Sequence, residues 1–192
     1  MRISGADACL LRHHTNAVCA VDNLVVKTAP EEFGLDCTRV VVAVVQWLSA
    51  RQFPTVFLSP RLPQPLLVNG HAVTVWERLD PVQDEPVTAI ELRTLLRELH
   101  ALPAPPVILP RLQPIDNVHA SVIKSAILST EDRELLLKRL GSLTKRWSVM
   151  EFPLGASLIQ SDPQTRNALR RFDRTPVLAD WDGVALGPRE RI

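Results

Sequence analysis

An α+β protein is what the sequence predicts, β-rich to about Glu77 and mainly helical afterwards, with a small β-hairpin near its end. Three observations carry this expectation. Short apolar segments split by turn dipeptides occupy the first part, and longer stretches with apolar residues at helical spacing occupy the second. Short segments then return from Ser157 onward. No internal repeat is visible.

Taken in order, Ala17 to Val21 and Leu24 to Thr28 read as strands joined at Asp22-Asn23, a dipeptide suited to a tight turn. From Asp36 to Arg51 a helix is expected, with Val41, Val44, Val45 and Leu48 on one face. The valine run from Val40 to Val45 also suits a buried strand, but the length of the segment and its polar flanks favour the helix. A proline-punctuated loop with Pro54, Pro60, Pro63 and Pro65 leads to strands at Leu66–Val68 and Ala72–Trp76. Between them lies Asn69-Gly70, the dipeptide that most favours a type I′ hairpin turn. Thr88-Ala-Ile-Glu91 reads as a capping box, with Leu92, Leu95, Leu96 and Leu99 spaced along one face of the helix behind it, which ends near His100. A further helix opens at Ser129 or Thr130, carries Glu131 and Asp132 in its first turn and Lys145 and Arg146 near its end, and aligns Leu136, Leu140, Leu143 and Trp147. The last part reads as a polar loop from Gln160 to Asn167, a segment at Ala168 to Arg171, a turn at Asp173-Arg174, and Val177 to Ala179 running into Asp180.

Composition narrows the function. Lys+Arg 22 against Asp+Glu 21 leaves a net charge of +1, whereas a dedicated nucleic-acid binder shows a strong basic excess. No window approaches the ~18 consecutive apolar residues of a membrane span, and the N-terminus lacks the ~7 to 15 apolar residues of a signal peptide. Cys9, Cys19 and Cys37 match no zinc spacing and read as free thiols in a reducing compartment. These features point to a soluble, cytoplasmic chain with neither nucleic acid nor membrane as partner.

Two segments carry the chemistry: QSDPQTRN, Gln160 to Asn167, and LADWDGVALGP, Leu178 to Pro188. A hairpin between them would return the second loop to the first and bring Asp162, Asn167 and Asp180 together. Oxygen donors of this kind suit Mg²⁺ with phosphate and water completing its shell. An Asp spared from the metal can orient or deprotonate an attacking hydroxyl. Asp and Asn also populate surface loops for turn reasons alone. His13 and His14 read as solvated turn residues, His100 as a helix-terminal cation or core-edge group, and Trp181 as a packing residue. Arg166, Arg170, Arg171 and Arg174 suit either an anionic substrate or a solvated hairpin face.

The first of these segments resembles the H-G-D-x4-N catalytic loop of the aminoglycoside phosphotransferase family, and ADWDGVALGPRE resembles the metal-binding segment that follows it there. LRHHTNAV is similar to that family's nucleotide-loop hairpin, Lys27 in LVVKTAP to its strand lysine, VTVWERLDP to its hinge, and ELRTLLRELHALPAP to the first long helix after the hinge. The resemblance spans nearly the whole chain in order. It implies a protein-kinase-like bilobal fold, with a nucleotide-binding lobe and hinge at 1–79 and a helical lobe at 80–192. It implies ATP (or GTP) and Mg²⁺ as cofactors and a small molecule bearing a hydroxyl as acceptor. Asp162 is then the catalytic aspartate, Asn167 and Asp180 the metal ligands, and Lys27 the holder of the α and β phosphates. Thr15 and Asn16 lie over the triphosphate, and backbone groups at Glu77 and Leu79 meet the adenine.

Three departures qualify that expectation. Gln160-Ser161 replaces His-Gly before Asp162, removing an imidazole that braces the loop. Val41 stands where the helix glutamate that pairs with the lysine is expected, so Lys27 is left to lose its charge or swing to solvent. The chain stops 12 residues past Asp180, where family members continue with further helices, implying C-terminal truncation and an incomplete acceptor pocket. The expectation is therefore a weakened small-molecule phosphotransferase. The alternative is an inactive kinase-like remnant that binds nucleotide or a protein partner, with association through uncovered apolar surface.

Overall fold

The computed structural model describes residues 8–13, 16–29, 34–79 and 85–190. Strands β1 (Cys9–His13), β2 (Ala17–Val21), β3 (Leu24–Thr28), β4 (Leu66–Val68) and β5 (His71–Glu77) form an antiparallel sheet in the order β1-β2-β3-β5-β4. The β4–β5 turn is the expected one: Asn69 and Gly70 both take positive φ, 50° and 85°, which an Asn-Gly pair tolerates at little cost. The Val-rich segment is helical, α1 (Gly34–Ala50), and it buries Val41, Val42, Val44, Val45, Trp47 and Leu48. The strand alternative fails because the segment spans 17 residues, several helical turns, and packs along β5.

Helix α2 (Ala89–Ala101) starts at Thr88 with both halves of the capping box in place and buries Leu92, Leu95, Leu96 and Leu99. These side chains share one core with α1 and with Val177, Leu178 and Trp181 near the chain's end. Each fully buried Leu contributes about 1.5–3 kcal/mol. His100 is buried here as well, the core-edge alternative rather than the helix-terminal cation. Burial, and then the nearby Arg189, hold its imidazole below the ordinary value.

Helix α3 (Asp116–Lys124) was not expected from the sequence, and the residue that precedes it, Ile115, offers no capping side chain. It packs against α4 (Thr130–Ser148), capped by Ser129 as expected. The Arg133 guanidinium ties the two by donating to the carbonyls of Val122, Ile123 and Ser125. The expected apolar face of α4 is only partly covered: Leu140 is buried, Leu143 and Trp147 are half-buried, and Leu136 is exposed.

Two small antiparallel sheets complete the described residues. Strand β6 (Ala156–Gln160) pairs with β9 (Val184–Pro188), and β7 (Ala168–Arg170) pairs with β8 (Pro176–Leu178). The strip from Pro54 to Ser59 joins this region to the large sheet. Its backbone bonds to Leu178 on one side (Val56 N to Leu178 O, 3.1 Å) and to β5 on the other (Ser59 N to Val75 O, 2.8 Å; Glu77 N to Phe57 O, 2.9 Å).

Three of the four hairpin arginines have structural partners rather than forming a free anion-binding patch. Arg170 is buried and grips Glu91 with two contacts of 2.9 and 2.7 Å. Arg171 lies over the Phe57 ring and donates to the Thr55 carbonyl, and Arg174 pairs with Glu85. The Glu91 carboxyl is pulled from 4.5 to about 2, first by Arg170 and then by the Thr88 backbone and hydroxyl. A folded value below the unfolded one means stabilisation that is complete above about pH 4.5 and lost as pH falls toward 2. Glu91→Gln should therefore flatten the acid limb of melting temperature against pH over that window. An unaltered limb would assign it to other acids.

Candidate functional site

The site is assembled by the β7–β8 hairpin. Strand β6 delivers the loop carrying Asp162, a short 3-10 turn (Thr165–Asn167) ends it, and the hairpin then returns the chain so that Ala179 N bonds to Asn167 O at 2.9 Å. Asp180 follows at once. The Asn167 amide nitrogen donates to the Asp162 carbonyl at 2.8 Å and to its carboxylate at 3.0 Å, which leaves the amide oxygen of Asn167 as its remaining donor atom for a ligand. Asp162 also receives the Gln164 amide, and its side chain is 61% exposed.

Asp180 takes a left-handed backbone conformation, φ 55° and ψ 64°. The buried Gln160 side chain braces it, donating to the carbonyls of both Ala179 and Asp180 at 3.2 Å. The amide thus supplies donors across the two loops where an imidazole was missed, although its own oxygen has no partner among the described residues. Beyond Asp180, Trp181 is buried, as expected of a packing residue. Its indole N–H donates to Thr55 Oγ1 at 2.8 Å.

Lys27 does not swing to solvent. Its ammonium lies 2.7 Å from Asp180 and 2.6 Å from Asp182, with its side chain only 12% exposed. Val41 is buried and lines a small void with Lys27, so helix α1 supplies no acid, and the carboxylates of Asp180 and Asp182 take that place. Of the acids upstream, Asp36 pairs with Arg39, while Glu31 and Glu32 lie outside the described residues. Asn16 donates to the Asp182 carboxylate, and Arg12 reaches the second oxygen of Asp180 at 3.4 Å. Burial pushes the Asp180 carboxyl up, but Lys27, and then Arg12, outweigh it and hold it below its ordinary value.

Of these groups, Arg12, Lys27 and Asp180 line a cleft of about 440 Å³. Val18 and Val25 of the sheet line it, as do Leu169 of β7 and Glu77, Arg78 and Leu79. Sequence reasoning thus named Lys27, Asn167, Asp180, Glu77 and Leu79, all of which line this cleft. Asn16 bonds to Asp182, Asp162 accepts from the cleft residue Asn167, and Thr15 lies outside the described residues. Asp182 and Arg12 were missed. The second acid of Asp-Trp-Asp was the available signal for Asp182, and the place of Arg12 in LRHHTNAV, the segment similar to a nucleotide-loop hairpin, was the signal for Arg12. Among the described residues no cluster of three or more His, Cys, Asp or Glu forms a metal cage, and no helix is long and apolar enough to cross a membrane.

This architecture is that of known phosphotransferases. The choline kinase LicA from Streptococcus pneumoniae superposes with a TM-score of 0.65 at 14% identity, over 95% of this chain and 65% of that one. An ADP-bound aminoglycoside phosphotransferase, APH(2'')-Ib, gives 0.63 at 12% identity over 100% of this chain and 70% of that one. A choline/ethanolamine kinase family protein from Mesorhizobium loti gives 0.56 at 15% identity, covering 96% and 61%. The chain therefore has the protein-kinase-like fold, in the form shared by aminoglycoside phosphotransferases and choline kinases, as the motif resemblance implied. It spans less than two thirds of the length of these two choline kinase relatives. No family model matches the sequence, and neither does any curated protein.

Proposed function

We propose that the chain binds a nucleoside triphosphate with Mg²⁺ and transfers its γ-phosphoryl group to a hydroxyl of a small molecule. The carrying observation is that Lys27, Asn167 and Asp180 line one cleft, with Asp182 on the Lys27 ammonium and Asp162 bonded to Asn167. In this reading residues 1–79 hold the nucleotide from above and 80–192 supply the acids. The apolar walls at Val18, Val25 and Leu169 suit the two faces of a purine. The amides of Glu77 and Arg78 are spent on Phe57 and Asn23, which points to the Leu79 amide as the donor for the purine edge. Lys27 neutralises phosphate charge.

The donor set fits a hard divalent cation. Asn167 offers a free amide oxygen and Asp180 a carboxylate, and such oxygens with substrate phosphates suit Mg²⁺ rather than a softer metal. When bound, the ion neutralises charge on the phosphates. Asp162, exposed beside the cleft, orients the acceptor hydroxyl and accepts its proton. The Gln160 brace supports transfer over the inactive alternative, because both loops are held together despite the lost imidazole.

Melting curves with ATP or GTP, each with and without Mg²⁺, test this reading. Nucleotide with Mg²⁺ at 100 times its dissociation constant should stabilise the fold by about 2.7 kcal/mol. The shift should shrink without Mg²⁺ and in Lys27→Ala. Equal shifts with and without the metal would remove Asn167 and Asp180 as its ligands.

A further inference from the structure

Arg12 is left without a task by that reading, although its guanidinium reaches the same carboxylate as Lys27. One oxygen of Asp180 takes Lys27 at 2.7 Å and the other takes Arg12 at 3.4 Å. Asp182 in turn takes Lys27 and the Asn16 amide. Two carboxylates thus face two cations. The group is charge-balanced, and neither oxygen of Asp180 stands ready for a divalent ion.

The two cations are not held alike. Lys27 is 12% exposed and makes short contacts to both acids, whereas Arg12 is 44% exposed and makes one longer contact. A long contact from an exposed guanidinium is weakly held, so Arg12 yields first when a doubly charged ion competes for Asp180. It does not then leave the site. Arg12 sits on β1 and lines the cleft, so a freed guanidinium remains within it, beside the place where Lys27 would meet phosphate. Its planar set of donors matches phosphate oxygens in pairs, which an ammonium cannot do.

We propose that Arg12 is a second phosphate-binding cation, held on Asp180 before nucleotide binds and passed to the nucleotide's phosphates when a divalent cation takes that carboxylate. The proposal rests on the nucleotide reading above. Arg12 then opposes the metal when it arrives alone and favours it when it arrives with a polyphosphate, so the two ligands bind cooperatively.

Equilibrium binding of Mn²⁺ alone, adenosine, ADP and ATP with Mg²⁺ to the full chain tests this, using Arg12→Gln and Arg12→Lys. Arg12→Gln should bind Mn²⁺ alone about two- to fivefold more tightly, because an exposed ion pair no longer competes. It should bind ATP with Mg²⁺ about tenfold more weakly, the scale of a lost charged hydrogen bond, with adenosine changed less than twofold. Arg12→Lys, which keeps the charge and loses the fork, should fall between and control for folding. An unchanged ratio of ATP to adenosine affinity in Arg12→Gln would overturn the role of Arg12 and leave the nucleotide reading standing. A native chain that binds neither adenosine nor ATP would overturn both.

Discussion

Asp162→Asn should abolish phosphoryl transfer while leaving nucleotide binding within about twofold of the native chain. An amide at 162 keeps an oxygen for the Asn167 side chain, which also holds the Asp162 backbone carbonyl, so the loop should keep its shape. What is lost is a group able to take the acceptor's proton, and such groups contribute typically ~10²–10⁴-fold to rate. Single-turnover transfer from labelled ATP to a panel of aminoglycosides, sugars and choline-like alcohols reads this directly. Loss of nucleotide binding in a folded variant would instead assign Asp162 to the metal. Unchanged transfer would remove it from the mechanism.

Trp181→Ala should cost about 3–5 kcal/mol of stability, the range for deleting a large aromatic side chain from a packed core. Trp181 is 1% exposed, meets Phe53 edge-on at 6.5 Å between centroids, and donates to the buried Thr55 hydroxyl. Thr55 in turn donates to the Leu178 carbonyl at 3.3 Å, so truncation opens a cavity and leaves a buried oxygen short of its donor. The denaturant midpoint should fall with little change in slope. Trp181→Phe should retain most of the packing, and its double-mutant cycle with Thr55→Val should give a coupling of about 1 kcal/mol. Because Asp180 is the preceding residue, Trp181→Ala should also weaken the Mg²⁺-dependent part of nucleotide binding. A loss of stability below about 1 kcal/mol would contradict the packing described.

Several parts of this molecule were legible in the sequence because the signal and the structure lie within a few residues of one another. Asn69-Gly70 sets its own turn through the positive φ both residues accept, and Thr88 and Glu91 cap α2 across a single turn. The β-then-α order and the hairpin that carries Asp180 back to Asn167 follow from periodicity and short turns. Helix α3 escaped because Ile115 offers no cap and only Val122 is buried, leaving a weak apolar stripe. The partners of the charged groups were decided only by tertiary structure. Lys27 meets Asp180 across 153 residues and Arg12 meets it across 168, and neither pairing has a local signature. Gln160 braces Asp180 across 20 residues, and Arg170 grips Glu91 across 79. Local backbone preferences dictate elements and turns, whereas which acid neutralises a half-buried lysine depends on how the packed elements bring charges within a few ångströms. In this chain that choice fell on Asp180 and Asp182 rather than on helix α1.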